Sequence, residues 1–293
     1  MDFVKPAEVL QSMLEAGESK ARMNRVQMLI RGFLAGAILA FATTLAYTAV
    51  SQTSVGLAGA LIFPAGFVII VLLGLELVTG NFAMLPLALM KRRITWMDML
   101  RNYFWVITGH LLGCAFYALL YGLTLTKMGT DMSNPLIQTL IQTSEAKTLG
   151  YKHLGGAGIV LVIIKAILCN WMVTLGAVMA MTSTSTLGKI VAMWLPITIF
   201  FAQGFEHAVV NMFVIPAGMM LGAQVSVADW WLWNQIPVLV GNLIGGAVFT
   251  GLGLYAAHHW GKPVKLSTKL ATIQGGRSGL ASSDAAPKLG TRS

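Results

Sequence analysis

An ionisable pair lies within one of the most apolar stretches of this sequence. The segment QGFEHAVVNMFVIP, residues 203–216, places Glu206 beside His207 and Asn211 four residues after the histidine. A neutral imidazole offers one hydrogen-bond donor and one acceptor, and histidine titrates near neutral pH. His207 could therefore hold the anion of a weak acid or exchange a proton with it. The alternative is a histidine whose hydrogen bonds are satisfied by the surrounding core.

The two polar neighbours of His207 have counterparts earlier in the chain. The pattern Glu-x4-Asn-x4-Pro occurs twice, 130 residues apart. We expect these residues to support interruptions in two helices rather than to contact a solute, because an unpaired carboxylate is costly in an apolar layer. The counterpart of His207 is Leu77, so the unmatched histidine is the best candidate for function. The pattern comprises Glu76, Asn81 and Pro86 in the first copy and Glu206, Asn211 and Pro216 in the second.

The composition indicates an integral membrane protein. The chain has 293 residues, of which 56% are hydrophobic and 11% are charged, and its mean hydropathy is +0.72. Soluble domains carry about 25% charged residues. The basic pI does not indicate nucleic-acid binding, because the lysines and arginines cluster at the ends of apolar segments. Cys114 and Cys169 lie in apolar runs and are expected to pack there, and we predict no cofactor and no metal.

Six apolar segments are long enough to cross a membrane, which takes about 20 helical residues. The second and fifth are too long for one simple span, and each contains one Glu-x4-Asn-x4-Pro pattern. We predict that the second breaks at Leu77–Asn81 and the fifth near His207–Asn211. The predicted fold class is an all-α membrane protein with six transmembrane helices, the second and fifth interrupted. The segments are approximately residues 32–50, 57–90, 102–125, 157–181, 189–222 and 235–260.

The distribution of charge predicts the domain organisation and the orientation. Residues 1–30 form an arm in which Val9, Leu10, Met13 and Leu14 share one helical face, either on the inner membrane surface or as a cytosolic cap. Residues 31–262 form the membrane domain, and the Gly/Ser/Ala-rich residues 263–293 are a predicted disordered tail. Lysine and arginine concentrate at the arm, the tail and the loops on the same side. Both termini are therefore predicted to be cytoplasmic.

Shorter motifs also recur, in the same order in both halves. TGHLLG at 108–113 corresponds to VGNLIG at 240–245, and RGFLAG from Arg31 corresponds to KAILCN from Lys165. Three spans per copy place the second copy in the membrane with opposite orientation. Such inverted repeats are typical of channels and transporters, with the substrate site at the interrupted segments. Two half-helices whose N-termini meet at the midplane would favour an anion there.

Aromatic residues flank the expected interruptions. Phe63 and Phe67 lie one helical turn apart before the first interruption, and Phe200 lies about two turns before His207. Rings at these positions could form hydrophobic constrictions on either side of the histidine. Core packing or lipid contact is an equally good interpretation of each ring. His110 corresponds to Asn242 in the repeat, and we expect it to hold helices together.

Four motifs together resemble the formate–nitrite transporter family: LELVTGN, KAILCNWMVTLG, QGFEHAVVNMFVIPAG and IPVLVGNLIGG. The resemblance covers approximately residues 25–260. It implies an aquaporin-like fold and a homopentamer in the lipid membrane, expected to be a bacterial inner or cell membrane, with one pore per protomer. It also implies transport of formate or nitrite, or alternatively hydrosulfide, acetate or lactate. The implied mechanism draws the anion into a positive vestibule and transfers a proton near the histidine.

The same resemblance implies roles for individual residues. His207 would be the central pore histidine, Glu206 its support, and Thr79 and Asn170 polar pore residues. Constrictions would lie at Phe63, Phe67, Leu77 and Phe200. The family places a lysine in the vestibule, for which we select Lys152, with Lys147 as the alternative.

Two other functional classes fit the sequence less well. A membrane-embedded metalloenzyme built on Glu206 and His207 would need further ligands in a paired motif, which the apolar segments lack. A water or glycerol pore would need paired Asn-Pro-Ala triplets, and neither TGNFA nor VVNMF supplies one. We therefore predict a channel or carrier and not an enzyme.

Overall fold

The computed structural model describes residues 2–259, and this part of the chain is almost entirely helical. The first half contains α1 (Pro6–Arg22), α2 (Arg25–Thr53), α3 (Gly56–Ile62), α4 (Pro64–Leu72), α5 (Val78–Met90) and α6 (Trp96–Leu125). The second half contains α7 (Pro135–His153), α8 (Gly156–Met179), α9 (Thr186–Ala202), α10 (Ala208–Met220), α11 (Val227–Trp230), α12 (Ile236–Ile244) and α13 (Gly253–His259). The last three are joined into one helical run by π-helical segments at Trp231–Gln235 and Gly245–Leu252.

Within the described residues, four helical runs are long and apolar enough to cross a membrane. They are Arg25–Thr53, Trp96–Leu125, Gly156–Thr182 and Val227–His258. Four shorter apolar helical runs accompany them: Gly56–Leu72, Val78–Met90, Thr186–Ala202 and Ala208–Met220. Helix α7 was not among the predicted segments, because its exposed face is polar and its mean hydropathy is low. The predicted tail, residues 263–293, lies outside the described residues.

Both interruptions begin about one helical turn earlier than the sequence predicts. Helix α4 ends at Leu72 and α5 begins at Val78, while α9 ends at Ala202 and α10 begins at Ala208. Asn81 and Asn211, expected in the loops, lie in the first turns of α5 and α10. The expected role of Pro86 and Pro216 at the breaks is also wrong. Both helices continue through their proline for four further residues, because an apolar segment surrounded by other helices tolerates the lost hydrogen bond.

Helix α1 is covered by the rest of the chain along its apolar face. Val9, Leu10, Met13 and Leu14 are at most 5% exposed and pack against side chains that include Leu87 and Val178. This face is therefore not available to lipid, which favours the cap over the membrane-surface helix.

Small residues allow the long helices to approach closely. A side chain on Gly32 of α2 would place its Cβ 2.7 Å from the carbonyl oxygen of Val106 on α6. In the second half, a Cβ on Gly241 of α12 would lie 2.7 Å from the carbonyl oxygen of Ile163 on α8. Glycine at such contacts is typical of helix packing in membranes. These two helix pairs frame the broken helices that carry the polar residues.

Candidate functional site

His207 occupies the N-cap position of α10 and is 2% exposed. Its Nδ1 accepts a hydrogen bond of 3.2 Å from the backbone N–H of Val210. Because that N–H can only donate, the neutral ring must carry its hydrogen on Nε2. Nε2 lies 3.2 Å from Oγ1 of Thr79 and donates to it. The helix cap thus fixes the tautomer and directs the imidazole N–H towards the threonine.

Thr79 lies in the first turn of α5, so the two helix N-termini meet at this contact. Asn170 of α8 donates from Nδ2 to the carbonyl oxygen of Thr79 at 3.0 Å and to that of Asn242 at 2.6 Å. Asn170 is fully buried. The structure therefore brings together three of the predicted pore residues, with Asn170 positioning the backbone on which the threonine is carried.

Glu206 is held by side chains from three other elements. Its Oε2 accepts from Nζ of Lys147 at 2.9 Å and from Nδ2 of Asn211 at 2.7 Å. Its Oε1 accepts from the hydroxyl of Tyr151 at 2.7 Å. Asn211 also donates to Oδ1 of Asn234, whose amide in turn donates to the Lys147 carbonyl. These contacts hold the Glu206 carboxylate beside the start of α10.

The electrostatics of this cluster depend on the pairing of Lys147. Burial disfavours the charged ammonium, but the Glu206 carboxylate outweighs this effect and raises the pKa of Lys147 above its ordinary value. Lys147 therefore remains charged across the neutral pH range. A buried carboxylate with an ammonium and several hydrogen-bond donors has its lone pairs satisfied, as a charge in an apolar layer must.

Glu76, in the first half of the chain, has a lysine and an asparagine as partners, as Glu206 has. It accepts from Nζ of Lys20 at 2.7 Å and from Nδ2 of Asn81 at 2.8 Å. Asn81 donates to Oδ1 of Asn102, and Asn102 donates to the Lys20 carbonyl. The lysines come from α1 and α7, so these two helices correspond to each other. Each half thus holds a Lys–Glu–Asn–Asn tetrad: Lys20, Glu76, Asn81 and Asn102, and Lys147, Glu206, Asn211 and Asn234.

His110 and Asn242 cap the two broken helices from neighbouring helices. Nε2 of His110 accepts from the backbone N–H of Val78 at 3.1 Å, and Nδ1 donates to the carbonyl of Gly32 at 2.8 Å. Oδ1 of Asn242 accepts from the N–H of Ala208 at 2.9 Å, and its amide donates to two carbonyl oxygens. His110 therefore holds helices together, as the sequence suggests.

The aromatic residues line the approach to His207. The Phe200 ring stacks on the imidazole with centroids 5.6 Å apart and an angle of 25° between the planes. Phe63 packs edge-on against Phe200 at 5.7 Å. Phe63, Phe67 and Phe200 are each at most 2% exposed. Phe67 and Leu77 line a separate cavity, together with Gly80, the residue that follows Thr79.

Two cavities are lined by residues at or next to this contact: His207 lines one, and Leu77 and Gly80, which flank the Val78–Thr79 pair, line the other. The His207 cavity, of about 550 Å³, is lined by residues that include Lys147, Tyr151, Lys165, Phe200, Glu206 and His207. The Lys20 cavity, of about 330 Å³, is lined by residues that include Lys20, Phe67, Leu77, Asn81 and Lys189. Each cavity thus has apolar walls, the lysine of a Lys–Glu pair and a second lysine, and the His207 cavity is also lined by the glutamate of its pair.

Lys152, selected as the vestibule lysine, lines neither of these cavities. Its Nζ pairs with Asp229 at 2.7 Å, and its side chain is 47% exposed. Lys147, the alternative, lines the His207 cavity. The reason is helical periodicity, because Lys147 lies one turn before Tyr151 on the inward face of α7. The helical periodicity of α7 could also have identified Tyr151. Asn102 and Asn234 were both missed, although they occur 132 residues apart in corresponding spans.

Comparisons with known proteins agree with this architecture. Residues 7–256 match the sequence profile of the family described as formate/nitrite transporter. The formate channel BtFdhC of Bacillus thuringiensis is 32% identical over 267 residues, which are 88% of this chain and 97% of that protein. A solved structure described as an FNT family ion channel aligns with a TM-score of 0.70 at 25% identity, covering 85% of this chain and 98% of that one.

A second solved structure, described as a pentameric formate channel with formate bound, aligns with a TM-score of 0.65. It is 22% identical and covers 80% of this chain and 97% of its own, and it supports the fold alone. These relatives are channels and transporters and not enzymes. With its long apolar helices, this chain is an integral membrane protein and belongs to the formate/nitrite transporter family.

Proposed function

We propose that this chain forms a pore that carries formate, and nitrite as a second monovalent weak-acid anion, past His207. The observation that supports this most strongly is the contact between Nε2 of His207 and Oγ1 of Thr79, where the N-termini of α5 and α10 meet. An anion that replaces the threonine hydroxyl would accept the imidazole N–H. BtFdhC is named a formate channel, and formate is bound in the pentameric neighbour, so formate is the first substrate to test.

The geometry limits how His207 can take part in proton transfer. The N–H on Nε2 of a neutral imidazole is too weak an acid to protonate formate. The ring must first gain a proton on Nδ1, which requires release of its hydrogen bond from the Val210 N–H. In this mechanism the neutral ring binds the anion, and a second proton passes through His207 only when the cap opens. The neutral acid then crosses the apolar constrictions formed by Phe63, Phe67, Leu77 and Phe200.

The membrane arrangement follows from the helix lengths and the paired tetrads. Helices α3 to α5 would form one interrupted span, and α9 and α10 a second, which with the four long runs gives six spans. The two tetrads support an inverted repeat of this kind, in which α1 contributes Lys20 from outside the membrane domain of residues 31–262. We place both termini in the cytoplasm and α1 as a cytoplasmic cap. The formate-bound neighbour is described as pentameric, and we propose a homopentamer with one pore per protomer in a bacterial cell membrane.

Flux measurements on purified protein in liposomes test this function. Labelled formate and nitrite should enter liposomes that contain the protein faster than they enter vesicles without it, at about pH 5 and at about pH 8. Hydrosulfide, acetate and lactate should be measured in parallel to separate the alternative substrates. His207→Ala removes both the imidazole and the cap, whereas His207→Asn keeps a cap and replaces the imidazole with a shorter amide that cannot take up a proton. Both variants should lose most of the formate flux.

The two variants also separate function from folding. His207→Asn should keep the thermal stability of the wild type, because asparagine is a good N-cap. A folded His207→Asn protein with wild-type flux and wild-type pH dependence would refute the role of the histidine. Absence of flux for every anion tested in the wild type would refute the pore itself.

A further inference from the structure

We propose that Lys165 is the residue that docks the anion in the His207 cavity before the anion reaches the histidine. This inference rests on the proposed function and adds a second cationic position to it. Lys165 lies in α8, within a run long and apolar enough to cross a membrane. An ionisable side chain there is expensive and normally faces a water-filled cavity with a role in the ion pathway. Lys165 lines the same cavity as His207 and is partly buried.

The charges that line this cavity do not cancel. Lys147 and Glu206 form an ion pair of 2.9 Å, so their charges neutralise each other. Among residues 2–259, no carboxylate lies within ion-pair distance of Lys165. The cavity therefore contains two ammonium groups and one carboxylate, and its net positive charge comes from Lys165. This distribution distinguishes Lys165 from Lys147, whose ammonium is already occupied by Glu206.

Tyr151 positions the free ammonium. Nζ of Lys165 lies 5.9 Å from the centroid of the Tyr151 ring, within the range of a cation–π contact. The hydroxyl of the same tyrosine donates to Oε1 of Glu206, which fixes the ring. The contact is weak and leaves the three N–H donors of Lys165 available. An ammonium placed in this way attracts a carboxylate or nitrite but does not hold it in a closed site.

The walls of the cavity strengthen this attraction. Phe200, Phe201 and Phe205 contribute apolar surface around the ammonium. Low-dielectric walls focus the field of the net positive charge in the cleft and raise the local concentration of a counter-ion. Conduction also requires that the anion can leave again, and a flexible lysine binds more loosely than a rigid guanidinium fork. Lys165 thus increases the rate of anion capture without adding a deep binding step before His207.

The Lys20 cavity provides a matched case. Lys20 is paired with Glu76 at 2.7 Å, and the second lysine of that cavity is Lys189. No carboxylate among the described residues lies within ion-pair distance of Lys189. Each cavity therefore combines one paired and one unpaired lysine, although Lys165 and Lys189 do not occupy corresponding positions in the repeat. Lys189→Met should affect anion capture in the same way, from the other cavity.

The test compares Lys165→Met, Lys165→Arg and wild-type protein in liposomes over a range of formate concentrations and ionic strengths. Lys165→Met should raise the half-saturating formate concentration about fivefold, the factor expected for unit charges about 4 Å apart in water. The maximal flux should stay unchanged, and the flux should lose most of its dependence on salt. Lys165→Arg should keep the salt dependence. Lys152→Met is the control, because that lysine lies outside both cavities.

Two results of the flux measurements would overturn the inference. One is Lys165→Met protein with the half-saturating concentration and salt dependence of the wild type. The other is an equal loss of maximal flux in Lys165→Met and Lys165→Arg, which would indicate a packing role. Binding of carbon-13-labelled formate, followed by NMR line broadening, separates this inference from the proposed function. Binding that depends on Lys165 in a protein without flux would refute the pore and keep the docking residue. Binding independent of Lys165 would refute the docking residue.

Discussion

Replacing Lys147 with methionine removes the ammonium from a buried carboxylate. The methionine side chain fills most of the same volume, so the main change is electrostatic. Glu206, 2% exposed, would keep its hydrogen bonds from Tyr151 and Asn211 but lose its counter-charge. Removing one partner of a buried ion pair costs about 3 to 5 kcal/mol. For a chain of this size, that corresponds to a fall in melting temperature of about 10 °C.

Lys152→Met is the matched comparison on the same helix. Its ion pair with Asp229 has a similar length, 2.7 Å, but the lysine side chain is 47% exposed, compared with 18% for Lys147. Solvent screens an exposed pair, and its loss costs at most about 1 kcal/mol. The two variants therefore remove similar ion pairs that differ mainly in burial.

The assay is thermal unfolding of the detergent-solubilised protein, followed by intrinsic fluorescence. Adding Glu206→Gln to Lys147→Met should restore at least half of the lost stability, because the neutral amide no longer needs a counter-charge. Equal and small shifts in the two single variants would refute the assignment of the buried pair as a support. Failure of the double variant to recover would show that the loss arises from packing and not from the unpaired charge.

Three further substitutions test separate parts of the structure. Thr79→Val should lower formate flux while changing the unfolding free energy by only about 1 kcal/mol, since it removes the hydroxyl in contact with His207; flux equal to wild type would contradict its place in the pore. Asn242→Leu should destabilise the protein by roughly 3 kcal/mol in thermal unfolding, because one buried N–H and two buried carbonyls lose their hydrogen-bond partner. A loss no larger than that of Thr79→Val would contradict the capping role of Asn242. Gly113→Ala should destabilise the protein by about 1 to 3 kcal/mol, because the new Cβ would overlap the Phe33 carbonyl. Gly122→Ala on the same helix meets open space and should be neutral. Equal melting temperatures of the two variants would refute the close contact at Gly113.

The polar residues were predictable where the repeat carries them twice. A buried glutamate needs donors nearby, and an asparagine five residues later in the first helical turn supplies one in both halves. The spacing of Glu76 and Asn81, repeated in Glu206 and Asn211, is therefore a physical requirement of the broken helix. The helix-holding role of His110 followed in the same way from its alignment with Asn242.

The helix starts were not predictable from local sequence because their caps come from elsewhere. Leu77, the N-cap of α5, has no side chain that can accept a hydrogen bond, and His110 from another helix accepts from Val78 instead. Polar residues after the start were therefore interpreted as loop. Lys147 was only the alternative for the vestibule lysine, for a related reason. Its position depends on α7, a helix that a search for apolar segments does not find.

Both interrupted helices are supported by a Lys–Glu–Asn–Asn tetrad, but only the second has a histidine at its start, His207. The backbone dihedral angles at Leu77 are −119° and 112°, and those at His207 are −111° and 120°. Position 77 could therefore accept a histidine without strain, with Gly80 in the place that Val210 has in the other half. The first half thus has the same backbone geometry at this position as the second half, but it lacks the imidazole. Exchanging Leu77 and His207 would move the hydrogen-bond donor from one cavity to the other and reverse the side from which an arriving anion meets it first.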